Sequence, residues 1–167
     1  MIGDRWGVTD EEVARAFPCD AVVPDPVLQA WRGVTVHAPA GRVWSWIGQI
    51  RLAPYSYDWI DNAGRRSPDR LSDLPAPVVG EHFTAVAGRP QGRILSVVPD
   101  QQLTAQIMGA VMSYVLVPID GSTRLLLKVV MARGRLIAPL VSVGDLVMAR
   151  RQLLNLKGLA EAGTARV

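Results

Sequence analysis

Residues 123–133 read TRLLLKVVMAR, and residues 136–162 read LIAPLVSVGDLVMARRQLLNLKGLAEA. The first is a strand. Leu125, Leu127, Val129 and Met131 share one parity with Arg133, while Arg124 and Lys128 fall on the other. The second is a long apolar helix, in which Pro139 is tolerated because it sits in the first turn. Upstream, residues 82–87, 93–98, 103–108 and 112–119 carry strand patterns. Asp120-Gly121 is a strong two-residue hairpin signal, and Gly109-Ala110 is expected to turn the preceding pair. Earlier still, WRGVTVH (31–37) is a strand with Trp31, Gly33, Thr35 and His37 on one face and Arg32, Val34 and Val36 on the other. Pro39 opens a helix carrying Val43, Trp44, Ile47 and Ile50 at helical spacing. Strand, helices, a meander of strands and one long helix predict an α+β fold, an antiparallel sheet wrapped around a C-terminal helix.

The rest of the chain fits one domain of 167 residues, with an arm at 1–29 and a core at 30–162. In the arm, TDEEVARAF starts a helix at a Thr cap followed by acids, and Pro18, Pro24 and Pro26 punctuate an extended passage. Residues 54–77 are irregular, with a short helix expected near 57–62; so long an irregular passage inside a domain is expected to be a lid or functional loop. The composition is 49% hydrophobic and 20% charged, which is ordinary for a globular protein. A net charge of +3 from scattered arginines gives no nucleic-acid footprint. Cys19 is the single cysteine, and with only His37 and His82 there is no metal-ligand spacing. The first residues have acids and no apolar core, and the uncharged run 101–119 alternates like strands, so no signal peptide and no stable membrane insertion are expected. A cytoplasmic protein is the consistent expectation. Nothing in the sequence sets its oligomeric state.

Six segments, in order, carry a family resemblance: WGVTDEE (6–12), WRGVTVHAP (31–39), VWSWIGQI (43–50), YSYDWIDN (55–62), TRLLLKV (123–129) and VMARRQLLNLKGLAE (147–161). Together they resemble the START-like, helix-grip (SRPBCC) superfamily, closest to a bacterial branch related to polyketide cyclases and dehydrases. The resemblance implies a sheet of about six or seven strands gripping the last helix, with a deep cavity between them. Relatives use that cavity for lipids, polyketides and other hydrophobic ligands. No universal catalytic motif and no cofactor come with it. One departure is local: Leu154-Asn155-Leu156 stands where relatives often have a glycine.

Within this frame the expected function is binding of a hydrophobic, lipid- or polyketide-like small molecule. The alternative is a cyclase, aromatase or dehydratase using the same cavity. Candidate binding residues cluster in 43–62, which holds three of the five tryptophans and two of the three tyrosines. Trp44 is assigned to the core and Trp46 to the pocket, since the two point about 200° apart on a helix. Gln49, Tyr55, Tyr57, Asp58 and Trp59 are further candidates, with Asn62 beside them; for Asp58 and Asn62 a capping or turn role competes. Tyr114 can present a phenol from a strand, and Arg133 can reach a cavity mouth or snorkel to water. Arg151 falls near the centre of an apolar arc formed by Leu136, Ile137, Leu140, Val141, Val147, Met148, Leu154 and Leu159, beside Gly144 and Gly158. A guanidinium buried there needs a carboxylate, Asp58 or Glu81, or a ligand oxygen. No nucleophile has a paired base, and Tyr55, Tyr57, Asp58 or His37 are the groups that can move protons.

Overall fold

The computed structural model describes residues 4–132 and 138–163; for residue 61 and residues 138–146 the description is of the backbone. In chain order the elements are β1 (Arg5–Trp6), α1 (Asp10–Ala14), α2 (Pro18–Val22), β2 (Leu28–Val36), α3 (Ala40–Gln49), α4 (Asp58–Asp61), β3 (Thr84–Val86), β4 (Arg89–Gln91), β5 (Arg93–Val98), β6 (Gln102–Ile107), β7 (Ala110–Ile119), β8 (Ser122–Met131) and α5 (Ala138–Ala162). Six strands form one sheet in the order β1-β2-β8-β7-β6-β5, antiparallel throughout except for the short parallel pair β1–β2. The sheet is open, with β1 and β5 at its edges. An α+β fold with a C-terminal helix is therefore what the chain adopts.

Turn chemistry sets the register. Asp120 and Gly121, at φ 31° and 79°, join β7 to β8 with Ile119 opposite Ser122. Two left-handed residues match the twist of the strands they connect. The preceding turn is one residue earlier than the pattern suggests: Met108 and Gly109 close it, and Ala110 already pairs with Ile107. Residues 82–87 do not join the main sheet as one strand. Ala87 and Gly88 turn the chain, and β3 pairs with β4 as a separate hairpin.

β8 is buried on both faces, which is why it is nearly continuous in hydrophobicity. On the inner face Val34, Val36, Leu103, Tyr114, Leu125, Leu127 and Val129 pack against Val43, Trp46 and Ile47 of α3 and Leu153 and Leu156 of α5. On the outer face Val111, Leu126 and Val130 pack against Phe17 and Cys19 of the arm. Arg124 and Lys128 have the outward parity expected of them, but both hold the arm. Arg124 Nε lies 2.6 Å from Glu12 Oε1, and Lys128 Nζ lies 2.5 Å from Asp20 Oδ1. Glu12 also closes the capping box with Thr9 that starts α1. The hydrogen bond from Arg124 holds its carboxyl below the usual range, against the opposing effect of burial. The passage after Pro18 is not extended: Pro18 sits in the first turn of α2, and Asp20 accepts from Phe17 N at its start. Beneath α2 a buried polar chain runs from Cys19 N through Ser113, Thr104 and Gln102 to Ser96.

The buried face of α5 is turned from the arc expected. Ala149, Gln152, Leu153, Leu156 and Ala160 are buried, whereas Val147, Arg151, Leu154 and Gly158 are exposed. The helix is apolar most of the way round, so periodicity did not distinguish Leu153 from Leu154 as the inward residue. Its end is fixed by Lys157 Nζ donating to Thr35 O of β2 and by His37 N, just past that strand, donating to Glu161. Among the described residues no helix is long and apolar enough to cross a membrane.

Candidate functional site

Two pockets lie on either side of residues 54–56. The inner one, of about 300 Å³, opens between the inner sheet face, the β3–β4 hairpin and α5. Its lining is mostly apolar, with Phe83, Met112, Leu127, Val129 and Met148 among the contributors. Ala149 leaves the space on the helix side, and Met108, 90% exposed, lies at the edge of the lining. The Phe83 and Tyr114 rings stand 6.1 Å apart. Three of the lining side chains, Tyr114, Gln152 and Ser56, carry polar atoms that bond one another or the neighbouring backbone. Tyr114 Oη donates to Gln152 Oε1 at 2.7 Å, and Gln152 Nε2 donates to Pro54 O at 2.6 Å. Ser56 Oγ donates to Met148 O at 3.0 Å. Thr84 Oγ1 is buried with no hydrogen-bond partner among the described residues.

The outer pocket, about 650 Å³, is an open cleft between residues 55–69 and the outward side of α5. Tyr55, Tyr57, Asp58, Trp59 and Arg151 all line it, with Arg66 and Asp69. Arg151 is exposed, its guanidinium 5.7 Å from the Tyr57 ring centroid. Neither expected carboxylate pairs with it. Asp58 accepts from Ser67 N and Oγ, and Glu81 pairs with Arg51 at 2.9 Å. The reading of Arg151 as a buried charge is thereby corrected, for the reason given above for α5. Arg151→Met is expected to change the unfolding free energy by no more than about 0.5 kcal/mol in urea titration, as for other surface sites. A loss several times larger would expose a structural partner.

Between the pockets, residues 54–56 are tied to α5. Besides the Gln152 and Ser56 bonds, Asn155 Nδ2 donates to Tyr55 O and Ser56 O at 3.0 and 3.1 Å. Tyr55 holds a left-handed φ of 57°, unusual for a residue with a side chain. Its phenol is buried and accepts from Gln49 Nε2 at 2.8 Å. Burial pushes that phenol up from its ordinary pKa, with the Gln49 bond opposing and the Asp58 and Asp69 charges adding to the rise. Tyr55 therefore stays protonated near neutral pH and is no general base.

The candidates thus separate. Tyr55, Tyr57, Asp58, Trp59 and Arg151 meet in the outer cleft, and Tyr114 lines the inner pocket. Trp46, expected at the pocket, lines neither of the two and is buried in the core, edge-on to Tyr55 at 6.2 Å, and Trp44, partly buried, packs against the same core as expected. Gln49 secures the loop, donating to Arg70 O and accepting from Ser72 N. Asn62 likewise holds a turn, donating to Arg65 O and accepting from Ala87 N. His37 is exposed, 3.2 Å from Ser122 Oγ, and lines neither pocket. Arg133 lies outside the described residues. Sequence reasoning missed Ser56, Thr84, Gln152 and Asn155. The available signal was amide side chains inside an otherwise apolar helix, obscured by the misplaced arc.

No protein-family model matches the chain, and no curated protein sequence does. Solved structures do. Protein NE0264 from Nitrosomonas europaea aligns with a TM-score of 0.57 at 16% identity, over 84% of this chain and 99% of that one. Protein MLL2253 from Mesorhizobium loti gives 0.55 at 16%, over 80% and 97%, and Ms6760 from Mycobacterium smegmatis gives 0.52 at 13%, over 82% and 93%. Likeness at this identity is likeness of fold.

Proposed function

We propose that this chain is a START-like, helix-grip binding protein that holds a hydrophobic small molecule in the inner pocket. The observation that carries the reading is the lining itself: apolar side chains from sheet and helix around a few convergent polar groups, the usual composition of a ligand site. The cyclase or dehydratase reading has less support. Among the described lining residues the titratable side chain is Tyr114, whose hydroxyl proton is given to Gln152. An enzyme of that class needs a positioned acid or base beside its substrate. The binding reading requires no cofactor, and it takes the protein to be cytoplasmic.

Filling the pocket tests it. Ala149→Phe puts a ring into the space beside Tyr114 and Leu127. The neutral dye phenylnaphthylamine, followed by its fluorescence, is expected to bind the native protein and to lose at least about tenfold in affinity in the variant. Circular dichroism and the melting temperature should be unchanged. Equal dye affinity in a folded variant would place the dye elsewhere and remove the reading.

A further inference from the structure

We infer that the outer cleft is a second binding site, one for a flat aromatic molecule bearing a single carboxylate. The inference does not rest on the reading of the inner pocket. Arg151, Leu154, Asn155, Gly158 and Leu159 recur at three- and four-residue spacing, so they share one side of α5 and form the cleft floor. Asn155 fastens this floor to the opposite wall through Tyr55 O and Ser56 O, which holds the cleft in shape before any guest arrives. A volume of about 650 Å³ suits a small molecule.

The first ground is charge. Arg66 and Arg151 line the cleft, are exposed, and have no carboxylate partner among the described residues. Asp58 is committed to Ser67 N and Oγ. Asp69 stands where the cleft adjoins a depression that Arg42 and Arg70 also line, so guanidiniums outnumber carboxylates among the described residues there. An arginine fork matches a carboxylate with two parallel hydrogen bonds and stacks on flat rings. Asp69 sets the limit, since its charge tolerates a monoanion better than a phosphate dianion.

The second ground is what the cleft leaves uncovered. Trp59 is 74% exposed, and the Tyr57 ring centroid lies 5.7 Å from the Arg151 guanidinium. Exposed rings beside a cation offer a flat guest both apolar contact and a countercharge. Gly158 is the third ground. Glycine weakens the interior of a helix relative to other residues. Packing does not call for it, because a Cβ there meets no described atom within 4 Å beyond its own turn of helix. What the missing side chain leaves is depth in the cleft.

Naphthoate, naphthol and naphthyl phosphate share one ring body, and calorimetric titration follows each. The native protein should bind naphthoate, more tightly at low salt than at high salt. Arg151→Met and Arg66→Gln should each weaken naphthoate by roughly five- to tenfold, the value of a charge-assisted hydrogen bond in a solvated cleft, and leave naphthol unchanged. Asp69→Asn should tighten naphthoate. Gly158→Gln should weaken naphthoate while its melting temperature holds or rises, which a packing role for the glycine would not allow. Ala149→Phe, which closes the inner pocket, should bind naphthoate as the native protein does. Unchanged naphthoate affinity in both arginine variants, or no binding to the native protein, overturns the inference. Naphthyl phosphate binding more tightly than naphthoate overturns the choice of a carboxylate. Loss of naphthoate in folded Ala149→Phe would place the anion in the inner pocket and overturn the assignment of the cleft.

Discussion

Gln152→Leu is expected to lower the unfolding free energy by about 2–4 kcal/mol, the greater part from the buried Pro54 O, which loses its donor, and the rest from Tyr114 Oη, which falls back on Met112 Sδ. Leucine fills similar volume, so the loss is not a cavity effect. What changes is that Pro54 O loses its donor at 2.6 Å and Tyr114 Oη loses the acceptor at 2.7 Å. Urea unfolding with an unchanged slope would isolate the stability change. Tyr114→Phe should cost less, because it leaves Gln152 on Pro54. A Gln152→Leu penalty no larger than that of Tyr114→Phe would mean that Pro54 O is satisfied by water and that the bond to it contributes little.

The second large effect lies on the opposite face of the sheet. Asp20→Ala is expected to cost about 3 kcal/mol, the lower end of the range for stranding one member of a buried pair. Lys128 is 4% exposed, and among the described residues its Nζ would keep the rings of Trp31 and Phe17, at 4.9 and 5.7 Å. The variant also removes the acceptor for Phe17 N at the start of α2. Lys128→Met should cost less, because the Asp20 side chain is 36% exposed and can be hydrated. Combining the two changes should recover stability relative to Asp20→Ala, since an apolar residue replaces the stranded charge. A double variant no more stable than Asp20→Ala would show that the pair is not the source of the loss.

Much of the fold was legible because local chemistry and global position agreed. Asp120-Gly121 can adopt the paired left-handed turn at little cost, and the alternation of 93–98 and 112–119 matched strands that were then found. Thr9 announced its helix. Legibility failed where both sides of an element are covered. Lys128 has an outward parity in β8 yet is buried, because parity says which face a residue occupies and not what lies over it. In α5 leucines occur on nearly every side, so the inward direction was decided by tertiary packing. The same ambiguity concealed Gln152 and gave Arg151 an interior it does not occupy. The aromatic cluster at 55–59 was legible as a unit, since its residues share a short irregular stretch and reach one cleft together.

Residues 54–56 stand as a party wall between two compartments, fastened to α5 on one side and, through Gln49 and the Tyr55 phenol, to α3 on the other. Its fastenings to α5, at Met148, Gln152 and Asn155, span about two helical turns. A displacement of α5 away from the sheet would therefore work against both sets of fastenings. On the proposed binding function, a guest of larger girth would load the bond between Tyr114 and Gln152, which ties the helix to the sheet across the inner compartment.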